Sequence, residues 1–172
     1  MFYDVVVAAA ADLTANFTND LATLIAAKGG IAATANPAVT VYAHRSSDIF
    51  VPVADNQQGA AGLPGVGVFC VHAKTQAKRQ GARDNVVTCF FDYFARGADP
   101  AVLTAQMELA AEALLRAVDR LSVPGSDQLW GAGEEEQSVD VAIQGTAQVE
   151  GSDFYEDRVL VSFPVEHRDL GL

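Results

Sequence analysis

The stretch "VGVFCVHAKTQAKRQGARDNVVTCFFDYF", residues 66–94, decides the fold. Its two ends, "VGVFCVHA" and "NVVTCFFDYF", are β-branched and aromatic, which is the composition of well-buried strands. The middle is rich in Lys, Gln and Gly. Two apolar runs around one polar segment read as an antiparallel hairpin whose loop runs from Lys74 to Asp84. Hairpin loops usually close in about two to five residues, so a loop of this length is either mobile or built to reach something. It gathers Lys74, Lys78, Arg79 and Arg83 in a chain with 11 basic and 22 acidic residues.

Outward from the hairpin, Asp99 and Pro100 form an N-cap and a first-turn proline. Leu103, Met107, Ala110, Leu114, Val118 and Leu121 then share one helical face, and "SVPG" ends the helix. On the N-terminal side, residues 12–27 place Leu13, Phe17, Leu21, Leu24 and Ile25 on one face, with Gly29 and Gly30 as the stop. That helix has an ambiguous start, because Val5 to Val7 also fit a strand. Residues 38–44 read as a strand, and 48–53 as a second extended piece that Pro52 confines to an edge or arm. Residues 54–65 are a loop by composition.

Beyond the second helix, "SDQLWGAGEEEQS" reads as a surface loop holding Trp130 and the acidic run Glu134, Glu135 and Glu136. Residues 139–150 alternate, with Val139, Val141, Ile143, Ala147 and Val149 expected to face inward. Residues 158–168 place Val159, Val161, Phe163 and Val165 on one side, with Pro164 expected at an edge or strand end. The order α, β, (β), β, β, α, β, β predicts an α+β domain over residues 1–172. Its sheet is mostly antiparallel with a long central hairpin, and two amphipathic helices pack on one face.

Composition narrows the function. Half the residues are hydrophobic and 19% are charged, so the chain is globular. A net charge of −11 opposes general nucleic-acid binding, which needs a broad basic surface. No signal peptide is expected, because no basic residue precedes the short apolar start, and no run reaches membrane-span length. Solubility and a cytoplasmic site of synthesis follow as expectations. Cys70 and Cys89 read as buried, reduced thiols lying near each other on the paired strands; a bridge between them would need an oxidising compartment.

A search for chemistry yields little. His44, His72 and His167 are far apart, and no metal-ligand spacing occurs. "GLPGVGVF" leads into a strand rather than opening a helix, so it is a turn and not a phosphate loop. Consecutive carboxylates at 134–136 read as a solvated acidic loop. Asp92 sits in an apolar strand, where it either faces the solvated side or pairs with a basic neighbour. No cofactor, metal or catalytic residue is assigned.

Five segments together carry a family resemblance. They are "DLTANFTNDLATLIAAKGG", "AVTVYAHRSSDIFVPV", the hairpin, "DPAVLTAQMELAAEALLRAVDRL" and "VDVAIQGTAQVEGSDFYEDRVLVSFPVEHRD". In order and style they resemble the tail-terminator proteins of long-tailed bacteriophages. The resemblance covers nearly the full length and implies a non-enzymatic subunit. It implies a homo-oligomeric ring, usually a hexamer, that caps the tail tube, ends its polymerisation and joins tail to head connector. Tail tube protein and connector or head-closure protein would be partners, and DNA would pass through the lumen without specific binding. The implied location is the tail or neck of the virion, reached from the host cytoplasm. On this view Lys74, Lys78, Arg79 and Arg83 are an assembly contact to an acidic surface such as Glu134, Glu135 and Glu136. Rival readings are another neck ring or tube subunit, a small α+β enzyme with a pocket between helices and sheet, and a nucleic-acid module using the basic loop.

Overall fold

The longest strands form the middle of the structure. A computed structural model describes residues 2–47, 63–77, 83–121 and 138–169, with the backbone alone given at 72–77, 83–85 and 166–169. In chain order the elements are α1 (Phe2–Lys28), a short 3₁₀ turn (Gly30–Thr34), β1 (Thr40–Ala43), β2 (Gly65–Ala77), β3 (Arg83–Gly97), α2 (Pro100–Arg120), β4 (Asp140–Ile143), β5 (Ala147–Gln148) and β6 (Tyr155–Asp169). The strands form one six-stranded sheet in the order β1-β2-β3-β6-β4, with β5 pairing on β6. All pairings are antiparallel except β1 with β2, which is parallel. The result is the expected α+β architecture, with one correction: β1 does not join its neighbour by a hairpin. A parallel neighbour needs a crossover, and the chain leaving β1 passes to the sheet face away from the helices, where the Ser47 amide meets Asp92.

Both helices cover one face. From β3 that face presents Val87, Cys89, Phe91, Tyr93 and Ala95; from β6 it presents Val159, Val161, Phe163 and Val165. The alternation of β6 is therefore read correctly from sequence. α1 contributes Leu13, Phe17, Leu21, Leu24 and Ile25, and α2 contributes Leu103, Met107, Leu114 and Val118, all buried in the same continuous core. Phe91 and Phe163 meet edge-on at 4.7 Å. Asp99 caps α2 through Oδ1, which accepts from the amides of Ala101 and Val102. Gly29 and Gly30 leave α1 at positive φ, where a side chain would be strained.

α1 begins at Phe2, ten positions before the pattern of 12–27 is clear. Val5, Val6 and Ala9 continue the buried face of Leu13, so tertiary burial overrides the strand preference of the valines. Arg120 near the end of α2 ties the helices together by reaching Asp12 at 3.1 Å and Asp20 at 2.7 Å on α1. Gln106 on α2 donates to the Tyr93 hydroxyl and to the Asn36 carbonyl, linking helix, sheet and the chain entering β1. Burial raises the Tyr93 phenol well above its ordinary range, so it stays protonated.

The expected strand at 139–150 is corrected. It breaks into β4 and β5 around Gly145, whose φ is 94°. Its supposed inward residues lie open, with Val139, Val141 and Ile143 at 38%, 41% and 43% exposure. Alternation identified a face, but β4 lies at the sheet edge, beyond the full cover of the helices.

The Leu114 side chain is fully buried. Leu114→Ala is expected to cost about 2–5 kcal/mol through the cavity it leaves, measured by urea denaturation of the full chain. A loss below about 0.5 kcal/mol, the range of exposed sites, would mean that this face of α2 is not core.

Candidate assembly surface

The central strands outrun the helices. Fifteen residues of β3 or β6 span about 50 Å at the usual strand rise, whereas the 21 residues of α2 span about 32 Å. β1 pairs with β2 only at Gly65–Val68, and β4 pairs with β6 only at Val159–Ser162. Past those points β2, β3 and β6 continue as a three-stranded arm. Its outer strands have no further neighbour among the described residues. This accommodates Pro164, which cannot donate to a ladder: it pairs with Thr88 on β3, and its outer side lies beyond the reach of β4.

The arm revises the basic loop. β2 runs to Ala77 and β3 begins at Arg83, so Lys74 and Arg83 are strand residues. The expected loop from Lys74 to Asp84 is thus corrected at both ends, where Lys74 to Ala77 and Arg83 to Asp84 are strand. Backbone hydrogen bonding outweighs the polar composition of Lys74 to Ala77, because the ladder accepts any side chain that solvent tolerates. Lys78 and Arg79, together with Glu134, Glu135, Glu136 and Trp130, lie outside the described residues. The extended piece at 48–53 and the loop reading of 54–62 do so as well.

Register adds residues that sequence reading missed. β6 accompanies the hairpin to its end, pairing Arg83 with Asp169, Asp84 with Arg168 and Asn85 with His167. Lys74 pairs with Val86, which in turn pairs with Glu166. The arm's end therefore has residues of opposite charge at directly paired backbone positions, Arg83 opposite Asp169 and Asp84 opposite Arg168. The signal was present in the sequence as equal length: 155–169 matches the span of β3.

At the base of the arm, the sheet face away from the helices carries a buried ion pair. Arg158 donates from Nε to Asp92 Oδ1 at 2.7 Å and from Nη2 to Oδ2 at 2.8 Å, a bidentate fork. The Ser47 amide also donates to Oδ2. Asp92 is fully buried, and Arg158 is mostly so. Of the two alternatives for Asp92, a solvated face or a basic neighbour, the structure shows the second. Next to Arg158, Asp157 accepts from the Gly145 amide and the Thr146 hydroxyl, fixing the break between β4 and β5. Farther along the same face, Phe69 and Phe90 stack at 5.1 Å and remain half-buried. Val71 is 63% exposed beside them.

Among the described residues no group of three His, Cys, Asp or Glu side chains converges on a metal-sized point. His44 stacks on Tyr3, while His72 and His167 lie on different strands of the arm. A concave site lined by Gln148, Glu150, Ser152 and Asp153 lies at the turn before β6. No helix among the described residues is long and apolar enough to cross a membrane.

Comparison with known proteins finds no matching family model and no matching curated protein. Among solved structures, the chain is similar to one from the virion of a native gene transfer agent particle. The identity is 13% and the TM-score 0.33, over 90% of this chain and 97% of that one.

Removing one partner of the buried pair leaves an uncompensated charge. Arg158→Met is expected to cost about 3–5 kcal/mol, and the double variant Asp92→Asn, Arg158→Met to recover part of that loss. Urea denaturation of the four proteins of the cycle measures the coupling. Strictly additive losses would show that the two side chains do not stabilise each other.

Proposed function

We propose that this chain is a structural, non-enzymatic subunit of a phage-type virion that closes into a ring at the tail or neck. The arm carries the reading: a three-stranded ribbon that runs past its own helical layer and leaves outer backbone edges without neighbours among the described residues. Exposed strand edges and apolar edge residues such as Val141 and Ile143 invite strand pairing by another chain. A head-to-tail contact repeated around a closed ring satisfies each edge once and leaves none over.

The more specific role is that of a tail terminator, most simply a hexamer. The ring caps the tail tube, ends its polymerisation and binds the head connector. The net charge of −11 per subunit suits a channel through which DNA passes without sticking. The same charge opposes ring closure unless opposite charges meet at the seams. In this reading Lys74, Lys78, Arg79 and Arg83, with Arg168 at the position paired with Asp84, supply the basic side of that contact, and acidic positions such as Glu134, Glu135 and Glu136 supply the other. Assembly takes place in the host cytoplasm, and the product resides in the virion.

Sedimentation velocity and negative-stain imaging of the purified chain test the ring, with a hollow ring of about six copies expected; a monomer at every concentration overturns the reading. A terminator added to polymerising tube subunits shortens the tubes, whereas a neck ring that does not contact the tube leaves their length unchanged. Lys78→Glu with Arg79→Glu is expected to leave the monomer's Tm within about 2 °C, since exposed charges contribute little. The same reversal should weaken ring closure, and added salt should weaken the wild-type ring in the same direction. Undiminished closure in the reversed variant would remove these two residues from the contact.

A further inference from the structure

We infer that Cys70 and Cys89 form a built dithiol–disulfide couple that ties the base of the arm when the protein meets an oxidant. The two residues are direct register partners on β2 and β3, both are free thiols, and their sulfurs lie 2.8 Å apart. Directly paired antiparallel positions hold Cβ atoms about 4.5–5.5 Å apart, and a disulfide draws them to about 3.5–4.5 Å. The small closing movement has a place to go. The β2 register shifts immediately after Cys70, between Cys70 and His72, and such an irregularity loosens the ladder locally.

The thiols are not equivalent. Cys89 is buried and Cys70 is only partly so, which corrects the expectation that both are shielded. The hydrogen bond with Cys70, burial and the charge on Cys70 all raise the Cys89 thiol above its ordinary range. Cys70 is the more exposed of the two, and so the sulfur that a solution oxidant reaches first. With a hydroperoxide, the Cys70 thiolate attacks the terminal peroxide oxygen and the O–O bond breaks. Cys70 becomes a sulfenic acid, and the departing alkoxide or hydroxide takes up the proton that Cys70 had lost. The Cys89 sulfur then displaces hydroxide from the Cys70 sulfur, and the Cys89 proton leaves with that hydroxide as water. Two thiols and one hydroperoxide give one disulfide, one alcohol (or water) and one water. Reducing cytosol keeps the couple as a dithiol, and an oxidising medium closes it.

The couple sits where the covered sheet passes into the arm, and the bridge would span the whole turn between β2 and β3. The inference is independent of ring formation, because it is read within one chain. The test uses the full wild-type chain, first reduced, then exposed to hydrogen peroxide and quenched with an alkylating agent. Non-reducing peptide mapping should find Cys70 linked to Cys89 within the same chain. The oxidised protein should melt about 6–12 °C above the reduced one, as expected for a bridge closing a short loop in a chain of this size. Cys70→Ser should show neither the link nor the rise. Over-oxidation of Cys70 with Cys89 left as a thiol, a link between chains through Cys70, or a closed bridge without a rise in Tm would each overturn the inference. Where Cys70→Ser does not fold, the wild-type comparison of reduced and oxidised protein decides alone.

Discussion

The register of β3 against β6 is the constraint on which the structure depends. The two strands pair without interruption from Arg83 with Asp169 to Gly97 with Tyr155. Side chains alternate across a sheet, so a slip by one residue would turn Val159, Val161, Phe163 and Val165 away from the helices and expose the entire β6 contribution to the core. The Asp92–Arg158 fork acts against such a slip. Asp92 pairs in register with Leu160, and Arg158 with Phe94, so the fork spans the diagonal between adjacent strands. A one-residue slip would bring Arg158 to the helix-covered face and strand Asp92 without its cation. A buried ion pair adds little net stability compared with an apolar pair of equal shape. Its effect here is to make the wrong registers much worse than the right one.

The same strand pair accounts for α1 and α2 sharing one face. Asp92 and Arg158 face away from them, and the chain leaving β1 brings Ser47 to that side to complete the carboxylate's hydrogen bonds. A second apolar layer over this part of the sheet would have to desolvate the pair further. The helical layer instead locks together on its own side, through Arg120 to Asp12 and Asp20, and reaches the sheet through Gln106 and Tyr93. Two polar links and one continuous apolar core thus fix the body from which the arm projects.

Legibility in the sequence follows the same division. Where one face of an element meets the core and the other meets water, periodicity was sufficient: the α2 face from Leu103 to Val118 and the β6 face from Val159 to Val165 lie as read. Periodicity failed where cover, not pattern, decides burial. Val141 and Ile143 alternate as core residues do, yet they lie at the sheet edge and are exposed. Composition failed in the hairpin, where polar residues read as loop although they pair across the hairpin itself, Lys74 with Val86 and Ala77 with Arg83; the second partner of β3 in this region, β6, lies far along the chain, with Asp169 opposite Arg83. Of the candidate site, Lys74 and Arg83 are placed on the arm, Arg168 joins them only through register, and Lys78, Arg79 and Glu134 to Glu136 lie outside the described residues.

The physical character of the arm differs from that of the body. A sheet gains stability by packing a face or by pairing an edge, and a ribbon of three strands needs a hydrophobic face or a covering layer to stand alone. Beyond the helices this ribbon has the continuity of its ladder with the core, opposite charges at paired positions such as Arg83 with Asp169, and the stacked Phe69–Phe90 pair at its root. Such an element is stable enough to hold its direction and unfinished enough to accept a partner. Past β1 and β4 the outer edges of β2 and β6 have no strand partner among the described residues, so a strand added there would satisfy backbone groups that the ladder itself leaves over.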